Sequence, residues 1–192
     1  MGIHRLVAGA LACAALALGS AAAAADYHGF HFDVAPTADN DDDAALLAAA
    51  RQQVDIVEGV GLTPATLTFL RGFPIRLTKG DGGGHFGRDG VSINLPAHPD
   101  DRPILLHELM HAFQNGRLPG GMANAAMRRF FARAHQPGLW PAGSYMLSNE
   151  AEFFAMTTSV ELYGHAARPP FTRAALEEKQ PDYAAWIRSM VR

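Results

Sequence analysis

The segment 104–115 (ILLHELMHAFQN) constrains the chain most, because it combines an apolar helical pattern with two histidines one turn apart. The pattern predicts an amphipathic helix that ends at Gly116. His107 and His111 are four residues apart, so a helix presents both imidazoles on one face. Two imidazoles arranged in this way can bind a single metal ion at about 2.0–2.1 Å. The segment therefore predicts a core helix that carries part of a metal site.

Glu108 completes the pattern H-E-x-x-H. Its carboxylate is expected beside the metal on the open side of the site, where it can take a proton from a reacting water. A helix with two surface histidines is the alternative, but the segment is apolar and a candidate third ligand follows further along the chain. The pattern thus favours a catalytic metal site with Glu108 as the general base.

The third ligand must be His, Asp or Glu, because the single cysteine, Cys13, lies in the apolar N-terminal segment. Residues 148–155 (SNEAEFFA) offer Glu150 and Glu152, which are about 200° apart around a helix and cannot both face one ion. A thermolysin-like pattern selects Glu150, the glutamate of the Asn-Glu pair. That pattern has an aspartate four residues later, where this chain has Phe154. The spacing leaves both glutamates open.

The block GSYMLSNEAEFFA resembles the zinc-site segment of the anthrax lethal factor catalytic domain and its bacterial relatives, which are zinc metallopeptidases of the gluzincin type. In that family a tyrosine lies seven residues before the glutamate of an E-F-F-A block, as Tyr145 does before Glu152. The resemblance also covers HELMHAF and extends over about residues 84–188. It implies Glu152 as the third ligand and Tyr145 as a donor to the transition-state oxyanion. One departure is Met156, where the family often has an acid that supports a metal-bound histidine.

The remaining patterns predict a small α+β, zincin-like domain, mostly helical, with a small sheet or hairpin beside the metal-binding helix. Further helices are predicted over residues 44–57, 64–71, 123–134 and 149–162, with one or two more over 172–191. Residues 74–79 and 91–95 alternate apolar and polar side chains and predict strands, joined through a flexible glycine-rich connection at 80–84. By family analogy, the second strand is expected to align an extended peptide by edge pairing.

Residues 1–25 have the three parts of a secretory signal peptide: a basic start, an apolar run over residues 6–18, and small residues up to Ala25. We expect cleavage near Ala25 and a mature protein without disulfides. An uncleaved membrane anchor is the alternative, but the apolar run is short for a membrane span. Residues 26–192 are predicted to form one domain, with an irregular lead-in over residues 26–40, that is periplasmic or extracellular and not stably bound to a membrane.

Together these features predict an exported zinc-dependent metallopeptidase that holds one Zn²⁺ ion and hydrolyses a peptide or protein substrate. The net charge of −3 gives no electrostatic reason to expect a nucleic-acid partner. Two alternatives share the metal chemistry: a secreted zinc-binding or toxin-associated module without proteolytic activity, and a zinc hydrolase with a non-protein substrate. Glu108 argues against the first, because a structural site does not require that acid. The sequence carries no signal for an oligomeric state.

Overall fold

The computed structural model describes residues 23–35, 40–166 and 171–192, so nearly all of the predicted signal peptide lies outside the described residues. Within these ranges one mixed sheet of five strands lies beside seven α-helices, which confirms the predicted small α+β domain. The strands are β1 (Ala23–Tyr27), β2 (Phe30–Val34), β3 (Ile75–Lys79), β4 (Gly83–Gly87) and β5 (Gly90–Leu95). The helices are α1 (Asn40–Gly59), α2 (Pro64–Arg71), α3 (Ile104–Arg117), α4 (Ala125–Ala134), α5 (Glu150–Tyr163), α6 (Arg173–Lys179) and α7 (Pro181–Val191).

The sheet has the strand order β1-β2-β3-β5-β4. Strands β2, β3 and β5 run parallel, while β1 and β4 pair antiparallel at the two edges. Alternate apolar residues of the three parallel strands point into the core, as the period of two in a strand requires. These residues are Phe30, Phe32, Val34, Ile75, Leu77, Val91, Ile93 and Leu95. Helices α1 and α3 pack against this face of the sheet.

The irregular lead-in predicted for residues 26–40 is wrong over residues 26–34, and residues 36–39 lie outside the described residues. Strands β1 and β2 form a hairpin there, and its turn contains His28 and Gly29, both with positive φ (48° and 79°). The signal that identifies β2 is the alternation in FHFDV, whose three apolar residues are buried. Residues 23–25 pair with residues 32–34, so cleavage directly after Ala25 would remove three of the five residues of β1.

Two expectations, one about the glycine-rich segment and one about the strand that follows it, are also wrong. Residues Gly83–Gly87 form strand β4, so the predicted flexible connection at 80–84 is partly strand. Glycine is depleted in strands, which conceals this element in the sequence. Strand β5, expected to align a peptide at its edge, lies between β3 and β4. The edge strand next to α3 is therefore β4, which packs against that helix.

Helix α3 is held at its start by a side chain from α1. Its N-cap residue, Pro103, supplies no side-chain hydrogen bond. Gln53, which is 1% exposed, accepts a hydrogen bond from the Leu105 N–H at 3.1 Å. The Gln53 amide also donates to the carbonyl oxygens of Asp100 and Arg102 at 2.9 and 2.8 Å. One buried glutamine thus satisfies polar groups of the helix start and of the turn before it.

Helix α3 continues past the predicted stop at Gly116 to Arg117. Gly116 serves packing instead: a Cβ there would lie 2.8 Å from the Phe69 ring of α2. Helix α5 packs along α3 and is covered in turn by α4, α6 and α7. On that outer side the Phe153 and Tyr183 rings stack with centroids 4.9 Å apart. Within the described ranges, no helix has both the length and the apolar composition of a membrane span.

We predict that Gln53→Ala lowers the free energy of unfolding by on the order of 2–3 kcal/mol, because it leaves one buried N–H and two carbonyls without their partner. The matched control is Gln52→Ala. Gln52 accepts a single hydrogen bond, from the Asp100 N–H at 2.9 Å, at a half-buried position where water can replace it. Its loss should cost about 1 kcal/mol or less. Chemical denaturation of the metal-free protein measures both, and equal losses would contradict the capping role of Gln53.

Candidate metal centre

Three side chains from two helices converge on one point. The Nε2 atoms of His107 and His111 on α3 are 3.2 Å apart. The carboxylate of Glu152 on α5 lies 3.2 Å from His107 Nε2 through Oε2 and 3.6 Å from His111 Nε2 through Oε1. Ligands placed about 2.0–2.1 Å from a tetrahedral ion are roughly 3.3–3.4 Å from one another. The three distances therefore fit a single zinc ion, and these residues form a group that could hold a metal.

The burial and the protonation of these three side chains also suit them to bind a cation. Glu152 Oε2 is buried and has no hydrogen-bond partner with acceptable geometry. A buried carboxylate oxygen without a donor is costly unless a positive charge compensates it. The pKa of His111 is lowered to about 4, mainly by burial and then by the neighbouring His107, with Glu152 opposing both. At neutral pH His111 is therefore uncharged and has a lone pair for a metal. Two imidazoles and one carboxylate form a donor set known from catalytic zinc sites.

The structure distinguishes between Glu150 and Glu152, the two glutamates that the spacing left open as the third ligand. Glu150, the first residue of α5, faces α4, where its Oε2 lies 3.5 Å from Arg128 Nε. Glu152 faces α3 and the two histidines. Asn149 caps this end of α5, because its side chain accepts a hydrogen bond from the Glu152 backbone N–H at 2.9 Å. The glutamate implied by the lethal factor resemblance, not the thermolysin-like choice, is the one near the histidines.

Glu108 lies beside the three donors without belonging to their group. Its side chain is 5% exposed and accepts a hydrogen bond from the Phe86 N–H of β4. The pKa of Glu108 is raised to about 7, mainly by burial; His107 opposes this shift, Glu152 adds to it, and the Phe86 N–H opposes it slightly. A carboxyl group with a pKa near 7 can accept and release a proton at neutral pH. Glu108 is therefore a candidate for accepting and releasing a proton at this site.

Tyr145 reaches the same site from the loop before α5. It begins a short 3-10 helix, Tyr145–Leu147, which follows a bend at Gly143 with φ 75°. The Tyr145 hydroxyl donates a hydrogen bond to Glu152. Burial raises the pKa of Glu152, but the two imidazoles and this hydroxyl outweigh that effect, so the pKa lies below its ordinary value. The hydroxyl thus contacts a metal-binding candidate directly, while the Tyr145 side chain remains 44% exposed.

The site opens into a cleft of about 850 Å³. The cleft is lined by strand β4 and the glycine before it, by Met122 and Tyr145, and by the start of α5. The sequence reasoning missed β4 and Met122. The dipeptide Asp89-Gly90 is a strong hairpin signal that could have identified β4. Met122 lies in a short 3-10 helix, Gly121–Ala123, that no motif marks.

Met156 stands where the family often has an acid that supports a metal-bound histidine. It is 2% exposed and lines the cleft. His107 Nδ1 is buried and has no hydrogen-bond partner among the residues that the structure describes. In most zinc proteins this second ring nitrogen donates to a carboxylate or a carbonyl, which orients the ring. Here the His107 ring contacts His111 edge to face, with centroids 4.8 Å apart. Its orientation therefore depends on packing.

Comparisons with known proteins bear on the fold. No family model matches the chain, and no curated protein matches it. The solved structure of the PRO-PRO endopeptidase PPEP-2 from Paenibacillus alvei is similar, with a TM-score of 0.57 and 16% sequence identity over 82% of this chain and 96% of that chain. At this identity the similarity shows a shared fold. The resemblance to lethal factor has no support beyond its motif residues.

We predict that Glu152→Ala weakens zinc binding by on the order of 100-fold or more, because it removes one of the three metal donors, the carboxylate that accompanies the two imidazoles. Glu150→Ala is the matched control, two residues away on the same helix and directed at Arg128. It should leave zinc affinity within about twofold of the wild type. Competition with a chromogenic chelator measures both. A large loss in the Glu150 variant, with Glu152→Ala unaffected, would reverse the assignment.

Proposed function

We propose that this chain is an exported, zinc-dependent endopeptidase. The observation that carries the proposal is the convergence of His107, His111 and Glu152 beside a buried Glu108 in one cleft. Structural zinc sites are generally closed by four protein ligands, whereas catalytic sites use three and keep one position open. The three donors found among the described residues, facing a cleft, match the catalytic type. The shared fold with an endopeptidase and the motif resemblance support the same conclusion.

The proposed reaction is hydrolysis of a peptide bond. A zinc ion bound by the three donors would supply Lewis acidity, which polarises a carbonyl and lowers the pKa of a water. Glu108 takes the proton from the attacking water and passes it to the leaving amine. Its pKa of about 7 suits both steps, because neither protonation state is strongly disfavoured at neutral pH. The Phe86 N–H holds the carboxylate toward the site between these steps.

Tyr145 supplies a hydroxyl donor in the same cleft. In the structure this hydroxyl donates to Glu152, so it already lies within one hydrogen bond of the metal-binding group. A carbonyl oxygen that gains negative charge during attack competes with Glu152 for that donor. A preorganised donor of this kind stabilises the transition state more than the substrate. We assign Tyr145 the role of oxyanion donor on this basis.

The substrate is proposed to be an extended peptide that lies along β4. The Phe86 N–H points away from β5, since it donates to Glu108. Backbone groups of residues two apart in a strand face the same side, so Gly84 also presents its N–H and C=O on the outer edge. Because Glu108 already accepts from the Phe86 N–H, an extended chain would pair with the N–H and C=O of Gly84 at this sheet edge. Export is proposed from the pattern of residues 1–25 alone.

The test compares three forms of the protein on a library of peptides. Wild type loaded with one zinc equivalent should cleave internal peptide bonds, and a chelator should abolish the cleavage. Glu108→Gln should keep its zinc but lose turnover by on the order of 10³-fold or more, since an amide cannot accept the proton. Glu150→Gln is the control and should retain activity, because Glu150 faces α4. Undiminished cleavage by zinc-loaded Glu108→Gln would refute the assigned base.

Tyr145→Phe should lower kcat by about 100-fold while leaving zinc affinity nearly unchanged, because the loss falls on the transition state. Steady-state kinetics and chelator competition on the same preparation separate this catalytic role from a structural one, in which the hydroxyl only orients Glu152. If the hydroxyl served only to orient Glu152, zinc affinity would fall and kcat of the loaded enzyme would not. Tyr163→Phe is a suitable control, since Tyr163 ends α5 about 16 Å along the helix from Glu152.

A further inference from the structure

Strand β4 touches Glu108 at two residues. The Phe86 N–H donates a hydrogen bond to its carboxylate. Gly84 faces the same side chain: a methyl group on its Cα would lie 2.6 Å from Glu108 Cγ, 2.8 Å from Oε1 and 2.9 Å from Cδ. A real Cβ essentially never has contacts shorter than 3.0 Å. Any side chain at position 84 therefore requires Glu108 or the strand to move.

We propose that Gly84 is a positioning residue for Glu108. Without a side chain at this position, β4 approaches α3 closely enough for the Phe86 N–H to hold the carboxylate toward the donor group. The proposal rests on the proposed peptidase function, because Glu108 acts as a base only there. It assigns a role to a glycine that the sequence pattern attributed to a flexible connection.

The requirement for glycine is one of space and not of backbone conformation. Gly84 is absent from the glycines with positive φ, so an alanine can adopt its backbone angles. Rotating the carboxylate alone does not relieve the contact, since Cγ is the nearest atom. If Glu108 yields, its whole side chain swings about the Cα–Cβ bond and takes the carboxylate away from Phe86; if the strand yields, the Phe86 N–H moves away from the carboxylate instead. Glu108 is 5% exposed, so such a movement meets other buried groups.

Gly83 offers a matched control on the same strand. A methyl group there would lie 3.6 Å from Asn94 Nδ2 and 3.7 Å from Asn94 Oδ1, which is ordinary van der Waals contact. Its φ is also outside the left-handed region. Replacement by alanine therefore has the same chemistry and the same effect on the unfolded chain at both positions. Only the alanine at position 84 meets Glu108.

The first experiment is a double-mutant cycle on the metal-free protein, using Gly84→Ala, Glu108→Ala and the double variant. Alone, Gly84→Ala should raise the unfolding equilibrium constant by roughly tenfold or more, a coupling typical of residues in contact. In the Glu108→Ala background, which lacks Cγ and Cδ, the same change should be neutral or slightly stabilising. Gly83→Ala should show the same effect in both backgrounds. If Gly84→Ala alone does not fold, Glu108→Ala should restore folding.

The second experiment uses the zinc-loaded enzyme. Gly84→Ala should lower kcat by about 100-fold, with KM and zinc affinity changed by less than about threefold, because the metal donors stay in place while the base moves. A general loss of structure would instead reduce zinc affinity together with kcat. The split between kcat and zinc affinity thus separates a positioning role from a merely structural one.

The outcomes distinguish two failures. Equal effects of Gly84→Ala in the two backgrounds, or a double variant that still does not fold, overturn the contact. Wild-type kcat in Gly84→Ala overturns the positioning role even when the coupling is present. A wild-type protein that cleaves no peptide refutes the proposed function and with it the catalytic part of this inference, and the coupling measured without metal then shows that the contact itself was correct.

Discussion

Burial of α3 between the sheet and α5 is the constraint on which the site depends. The helix is enclosed on almost every side, yet it carries two histidines and a glutamate. Ionisable groups are tolerated in such a place only when they meet compensating partners. His107 and His111 meet Glu152 of α5, and Glu108 meets the Phe86 N–H of β4. The same enclosure that stabilises the core therefore gathers these polar groups in one place, at the bottom of the cleft.

One physical cause has opposite effects on two neighbouring residues. Burial disfavours charge, so it raises the pKa of Glu108 to about 7 and lowers that of His111 to about 4. The first effect makes a carboxylate basic enough to take a proton from water. The second keeps an imidazole neutral and therefore able to bind a cation. A single buried helix thus carries both the residue proposed as the base and one of the proposed metal ligands.

How much the sequence reveals depends on whether the relevant geometry is local. The placement of His107 and His111 on one face follows from helix periodicity, and so does the conflict between Glu150 and Glu152. The family resemblance, not periodicity, favoured Glu152. Strand order depends on long-range pairing, so the sequence does not reveal that β4 is an edge strand. Its glycines are typical of a loop, and for that reason β4 was not predicted as a strand. The hairpin of β1 and β2 was missed although FHFDV has the period of a strand.

The position of α3 is fixed by contacts that no local pattern encodes. Gln53 of α1 holds its start, β4 touches its middle through Glu108, and the Phe69 ring of α2 packs on Gly116 near its end. Each contact joins residues far apart in the sequence. Two of them involve a glycine, Gly84 or Gly116, where a side chain would collide with the neighbouring element. A motif specifies which atoms can react. Distant residues, such as Gln53 and, in the role proposed for it, Gly84, position those atoms relative to one another, and for that reason a site of this kind can be recognised in the sequence before its supports can.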